Sequence, residues 1–137
     1  MKSTATARWN GTLKGGSGQV SAQSAFFKNL PYTFVSRFVD GSGGTTPEEL
    51  IAAAHAACYS MALSANLEKA GIIPESVETT STVTLENGVI TSSHLAVKAK
   101  ISGITPADFE RHAADTKSTC PVSKALNLNI TVEARLI

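Results

Sequence analysis

Polar and apolar positions alternate along much of this chain, with one long exception. From Val77 to Leu85 the residues Val77, Thr79, Ser81, Val83 and Leu85 share one face, with Glu78, Thr80, Thr82 and Thr84 opposite. Val89, Thr91, Ser93, Leu95, Val97, Ala99 and Ile101 repeat the pattern, with His94, Lys98 and Lys100 on the outer face. Period-two alternation predicts half-buried strands. Asn87-Gly88 between them is the favoured pair for a type I′ hairpin turn. The last stretch alternates again, with Leu128, Ile130, Val132, Ala134 and Leu136 inward and Thr131, Glu133 and Arg135 outward. The exception is Leu50 to Ala65, apolar or small nearly all round. That pattern predicts a helix buried on most of its surface.

Punctuation marks the ends. Thr46 is a suitable N-cap, Pro47 suits the first helical position, and Glu49 completes a T-x-x-E capping box. Gly71, with Pro74 beyond it, stops the helix. Upstream, Thr6 to Trp9 and Val20 to Ser24 are strand candidates around the Lys14–Gly18 turn. Tyr32 to Val39, rich in β-branched and aromatic residues, predicts a stronger strand ending in the loop Asp40–Gly44. Pro106 opens a shorter amphipathic helix to about Lys117, and Pro121 a second short one. Strands and helices are segregated, so the expected class is α+β with mainly antiparallel sheets around a long buried helix. A chain of 137 residues has little to cover such a helix on all sides, which makes a homodimer plausible.

Composition narrows the function classes. The length predicts one domain over residues 1–137. Lys and Arg total 12 against 11 Asp and Glu, a net charge of +1, which gives no electrostatic reason to expect a nucleic acid or an anionic membrane as partner. Leu50–Ala65 is shorter than the ~20 residues that span a bilayer, and the polar start Met1–Trp9 does not read as a secretory signal. The expected setting is cytoplasmic. Two cysteines exclude a disulfide-dense scaffold and a four-cysteine zinc site.

Those cysteines are the candidate chemistry. Cys58 lies mid-helix, with Ala54, His55, Met61 and Ala62 on its face by i±3 and i±4 spacing. A lone thiol among such neighbours is commonly inert, because apolar burial raises its pKa. Arg37, oriented by Glu48 or Glu49, would lower it; the competing reading is an Arg snorkelling at a sheet edge. Cys120, just before Pro121, sits at a helix start, where free N–H groups favour a thiolate. Taken alone, that makes Cys120 the better nucleophile. His55 reads as a satisfied core histidine, with a general base as the alternative. No spacing supports a metal site.

Pro47-Glu48-Glu49-Leu50-Ile51-Ala52-Ala53-Ala54-His55-Ala56-Ala57-Cys58-Tyr59-Ser60-Met61-Ala62-Leu63 resembles the first-cysteine helix of the osmotically inducible protein C and organic hydroperoxide resistance (OsmC/Ohr) family. Cys120-Pro121-Val122-Ser123 resembles its second-cysteine motif. Trp9-x-Gly11, Tyr32-x-Phe34-x-x-Arg37-Phe38 and the terminal strand extend the likeness over essentially the whole chain.

The resemblance implies an intertwined homodimer and thiol-dependent reduction of organic hydroperoxides, and of hydrogen peroxide to an unsettled extent. It implies Cys58 as the peroxidatic cysteine, against the helix-end argument, and Cys120 as the resolving one. Glu48 would orient Arg37, which would stabilise the Cys58 thiolate. No cofactor or metal is implied beyond an external dithiol reductant, with lipoyl-bearing proteins among the candidates. Lys14 and no arginine occupies the glycine-rich N-terminal hairpin, so the chain resembles the osmotically inducible branch more than the hydroperoxide resistance branch. The rival readings are a non-catalytic dimeric binding module and a thiol redox sensor consumed stoichiometrically.

Overall fold

The computed structural model describes residues 1–39 and 41–137. The class is α+β. Residues 1–50 and 51–137 form two compact units.

The first unit carries an antiparallel sheet of β1 (Ala5–Asn10), β2 (Ser17–Ala22) and β3 (Leu30–Tyr32), in that order. Gly18 lies under the Tyr32 ring, and a Cβ there would stand 2.4 Å from its Cζ, so only glycine fits. Trp9 packs on the same ring at 5.5 Å between centroids.

The strand expected over Tyr32–Val39 is not one element. β3 ends at Tyr32, and Phe34–Phe38 forms a helical turn, α1. The cause is local. The Thr33 hydroxyl accepts from the Ser36 N–H at 2.9 Å, and the Ser36 hydroxyl accepts from the Thr33 N–H at 2.8 Å. This reciprocal cap outweighs the strand preference of the flanking aromatic and β-branched residues. Arg37 is therefore on a helical turn rather than on a strand beside Val35 and Val39. The loop reading over Asp40–Gly44 falls partly on Asp40, which lies outside the described residues.

Helix α2 runs from Pro47 to Lys69. Thr46 Oγ1 accepts from the Glu49 N–H at 3.0 Å, as its N-cap role requires. The Glu49 carboxylate closes no box on Thr46; it accepts from Thr45 Oγ1 at 2.7 Å. At the other end Gly71 has φ +79°. Its N–H reaches the Glu68 carbonyl at 2.9 Å, and the Ile72 N–H reaches that of Leu67 at 2.9 Å. This is a Schellman stop, sealed by Ile72 packing on the core that holds Leu67.

The second unit holds β4 (Ser76–Glu86), β5 (Val89–Lys100) and β6 (Asn129–Leu136), with β5 in the middle. β4 and β5 form the expected hairpin, with Asn87 and Gly88 both at positive φ. A bulge at Thr84/Leu85 shifts the register, so Leu85 pairs with Ile90 and Val89 is exposed rather than inward. The pairings are mainly antiparallel, as expected, and the exception is β6, which runs parallel to β5. The reason is the connection: α3 (Pro106–Thr116) and α4 (Pro121–Ala125) carry the chain back to the start of the sheet, the crossover a parallel pair requires.

Tyr59, Leu63, Leu67, Leu95, Val97, Ala99, Phe109 and Cys120 make one core cluster. Each fully buried Leu contributes roughly 1.5–3 kcal/mol relative to an exposed one.

α2 is not buried all round within the chain. His55, Tyr59, Leu63 and Leu67 form one inward stripe at four-residue spacing, while Ala53, Ala54, Ala57, Met61 and Ala65 are exposed. Only 22% of its most apolar stretch is buried. Its full run is long and apolar enough, by length and composition, to cross a membrane. Here the stripe is instead packed into protein core.

Candidate active site around two thiols

In the second unit α2 presents Cys58, and the turn after α3 presents Cys120. That turn is held on both sides. The Cys120 N–H donates to the Thr116 carbonyl at 2.9 Å. From α2, the Asn66 amide donates to Thr116 Oγ1 at 3.1 Å and to Thr119 Oγ1 at 2.8 Å. Cys120 is then the N-cap of α4, with Pro121 next, and its sulfur accepts from the Ser123 N–H at 3.5 Å.

Both cysteines are free, and each influences the titration of the other. Their environments differ. Cys120 is fully buried, whereas Cys58 is partly exposed and opens into a cleft of about 330 Å³. Met61, Ala62 and Ala65 give that cleft an apolar floor, and Asn66, Lys69 and Thr119 give it a polar rim.

The thiols titrate as a pair. Burial pushes Cys58 up and the neighbouring Cys120 adds to that, against a hydrogen bond from the Val122 N–H. Burial also opposes ionisation of Cys120, but hydrogen bonds from the Ser123 side chain and N–H, from Cys58 and from the Val122 N–H bring it below the ordinary thiol value. Within this unit Cys120 is thus the thiol with the lowered pKa, and Cys58 the one that is open to solvent.

In the first unit Arg37 and Glu48 form an ion pair. Arg37 donates from Nε at 2.9 Å and from Nη2 at 2.6 Å, both to Glu48 Oε1. Glu48, not Glu49, is thus the partner of Arg37. The Glu48 side chain is 11% exposed and the Arg37 side chain 39%. Arg37 also borders a cleft of about 360 Å³ lined by Trp9, Leu13, Tyr32, Phe34 and Phe38.

His55 is the satisfied core histidine of the sequence reading, with partners that reading missed. Its Nδ1 meets Ser93 Oγ and its Nε2 meets Ser123 Oγ, each at 2.7 Å, and Ser93 meets Ser81 at 3.1 Å. The histidine is fully buried, and burial lowers its pKa, so it is neutral. A signal existed in the sequence: Ser81 and Ser93 are polar residues on the inward faces of their strands. Among the described residues, no group of His, Cys, Asp or Glu is arranged to hold a metal ion.

Residues 40–135 match the family model described as OsmC-like protein. The chain belongs to the OsmC family. It is 42% identical to Peroxiredoxin OsmC of Escherichia coli (strain K12) over 95% of this chain and 93% of that relative. It is 32% identical to an organic hydroperoxide resistance protein-like 1 of Staphylococcus saprophyticus over 69% of this chain and 70% of the other. The crystal structure of an organic hydroperoxide resistance protein OsmC from Legionella pneumophila superposes with a TM-score of 0.69 at 27% identity. It covers 97% of this chain and 96% of its own.

Proposed function

We propose that this protein is a thiol-dependent peroxidase that reduces organic hydroperoxides, with Cys58 attacking and Cys120 resolving. The observation that carries the assignment is the asymmetry of the pair: adjacent free thiols, one opening to an apolar cleft and the other buried behind it. The Cys58 thiolate attacks the peroxide O–O bond, releases the alcohol and becomes a sulfenic acid. Cys120 condenses with it to a disulfide and water leaves. An external dithiol, lipoyl-bearing proteins being the natural class, exchanges with the disulfide and restores both thiols. The protein groups suffice for this chemistry without a prosthetic cofactor.

Cys58 needs help to ionise, since its own surroundings raise its pKa. Arg37 supplies that help in the assembled protein, oriented through Nε and Nη2 by Glu48. The exposed small and apolar face of α2, with Ala53, Ala57, Met61 and Ala65, supports assembly as a homodimer, each chain one domain over residues 1–137. Met61 at the Cys58 cleft, and Phe34 and Phe38 beside Arg37, favour alkyl hydroperoxides over hydrogen peroxide. The setting is cytoplasmic, where thiols are kept reduced.

The test is consumption of tert-butyl hydroperoxide and of hydrogen peroxide with dihydrolipoamide as reductant. Wild type turns over, faster with the alkyl substrate, and Cys58→Ser does not. One oxidation per chain without turnover would instead mark a sensor, and none a binding module. Arg37→Ala moves the pH profile of Cys58 alkylation upward; an unmoved profile removes Arg37 from the mechanism.

A further inference from the structure

Cys120 is carried by a short turn that lies mostly outside the core. Thr116 and Cys120 are fully buried, but Lys117, Ser118 and Thr119 between them are exposed. The turn closes on a single acceptor. The Thr116 carbonyl takes the Thr119 N–H at 3.1 Å, the Thr119 hydroxyl at 3.2 Å and the Cys120 N–H at 2.9 Å. These bonds give the turn its shape without joining it to α2, which carries Cys58. Tyr59 and His55 of α2 fasten the segments on either side, at the Ala113 carbonyl and at Ser123. The turn itself is fastened by Asn66, whose amide donates to Thr116 Oγ1 at 3.1 Å and to Thr119 Oγ1 at 2.8 Å.

Proton counting explains why an amide stands there. Thr116 spends its hydroxyl proton on the His112 carbonyl at 2.8 Å, and Thr119 spends its own on the Thr116 carbonyl. Each hydroxyl has only lone pairs left to offer α2. An NH2 group supplies both protons they need, whereas a carboxylate supplies none and a hydroxyl one. Helix preference does not explain the residue, since Asn is a poorer helix former than the adjacent Ala65 and Leu67. Asn66 also shares the side of the helix that bears the thiol. Cys58, Ala62 and Asn66 follow at four-residue spacing, and Cys58, Asn66 and Thr119 line the same cleft. α2 thus holds the attacking thiol and, about 12 Å further along its axis, the clamp on the turn that delivers the second thiol.

We propose that Asn66 is a positioning residue for the resolving step, its amide holding the Thr116–Cys120 turn against α2 at the place from which Cys120 closes on Cys58. This rests on the reading of Cys120 as the resolving cysteine. In that step the Cys120 sulfur forms the S–S bond, the S–O bond of the Cys58 sulfenic acid breaks, and the Cys120 proton leaves with that oxygen as water. Cys120 is oxidised, the sulfenic sulfur is reduced, and no further oxidant is needed. A disulfide forms only with its Cβ atoms about 3.8 Å apart, so closure is sensitive to drift of the turn.

The test follows Cys58 sulfenic acid and the Cys58–Cys120 disulfide separately after one equivalent of hydroperoxide. Asn66→Leu keeps the bulk of the side chain and removes both bonds without adding charge. Disulfide closure in it slows about tenfold, the effect of one net hydrogen bond on the docked turn. The midpoint potential of the disulfide rises by about 30 mV, the equivalent of a tenfold change in the closure equilibrium. A loss of stability shared by both redox forms would leave that potential unmoved. Thr116→Val, away from the cleft, forms sulfenic acid at the wild-type rate, and its closure rate and potential move the same way by smaller amounts. The double variant is no slower than Asn66→Leu, because the shared bond is already gone. Closure at the wild-type rate or an unshifted potential in Asn66→Leu, or losses that multiply in the double variant, would overturn the proposal. If Asn66→Leu does not fold, the rate and potential of Thr116→Val decide alone. A wild type that forms no disulfide would refute the resolving role of Cys120 instead, a result distinct from the failure of Asn66.

Discussion

Tyr59→Phe removes one oxygen atom from the middle of the core, and two independent effects follow. The Tyr59 hydroxyl donates to the Ala113 carbonyl. That carbonyl is in the last turn of α3, where the helical partner would be the Lys117 N–H. Lys117 donates instead to Ala114 and Asp115, so Tyr59 satisfies an otherwise orphaned acceptor. Ala113 and Tyr59 are both fully buried, so no water replaces the bond. Phe keeps the ring packing and leaves the carbonyl unpaired, a cost of about 1–3 kcal/mol at neutral pH.

The second effect is a pH dependence of known sign. Burial, with a smaller push from Cys120, holds the Tyr59 pKa well above its ordinary 10.0. The native state therefore keeps the proton where the unfolded chain has begun to lose it. The stabilisation is complete below pH 10 and is lost above it, by about 1.4 kcal/mol one unit higher. Phe has no such loss. Urea denaturation of both proteins at neutral pH and near pH 11 should show Tyr59→Phe less stable by about 1–3 kcal/mol at neutral pH, with the gap narrowing by about 1.4 kcal/mol in alkali. A gap that does not change with pH would refute the reading of Tyr59 as a buried neutral phenol. A gap near zero at neutral pH would refute its capping of α3.

His55 gives the opposite slope. Burial lowers its pKa from 6.5, so only the unfolded chain gains a proton just below that value. Its contribution is present above pH 6.5 and falls by up to about 1.4 kcal/mol per pH unit below it. That part of the acid slope in urea midpoints should vanish in His55→Gln, and a slope equal to wild type would contradict it. Gly18→Ala places a Cβ 2.4 Å from the Tyr32 ring. It should cost about 1–3 kcal/mol by overpacking, read by thermal denaturation, and an unchanged midpoint would show that β2 and Tyr32 can part freely.

Local signals in the sequence carried the hairpin at Asn87-Gly88, both ends of α2, the two Pro-started helices and the terminal strand. Each depends on neighbours a few positions apart. The errors arose where a longer-range or competing term decided. The Thr33–Ser36 cap converted the end of an expected strand into a turn of helix, and that moved Arg37. The parallel pairing of β6 follows from the whole crossover after β5, not from the strand's own pattern. Apolar composition on all sides of α2 did not translate into burial on all sides within one chain.

At the site, the motifs singled out Cys58 and Cys120, and the resemblance singled out Glu48. The structure pairs Glu48 with Arg37 and gives Glu49 to Thr45. The partners of His55 lie 38 and 68 positions away, beyond any local pattern.

The central claim, that Cys58 attacks and Cys120 resolves, is tested most directly by intact-protein mass spectrometry after one equivalent of alkyl hydroperoxide. The account predicts wild type lighter by two hydrogens, with a Cys58–Cys120 cross-link in its peptides. Cys120→Ser should be heavier by one oxygen on Cys58, and Cys58→Ser unchanged. An oxygen on Cys120 in the Cys58→Ser protein, formed at the wild-type rate, would make Cys120 the attacking thiol and contradict the account.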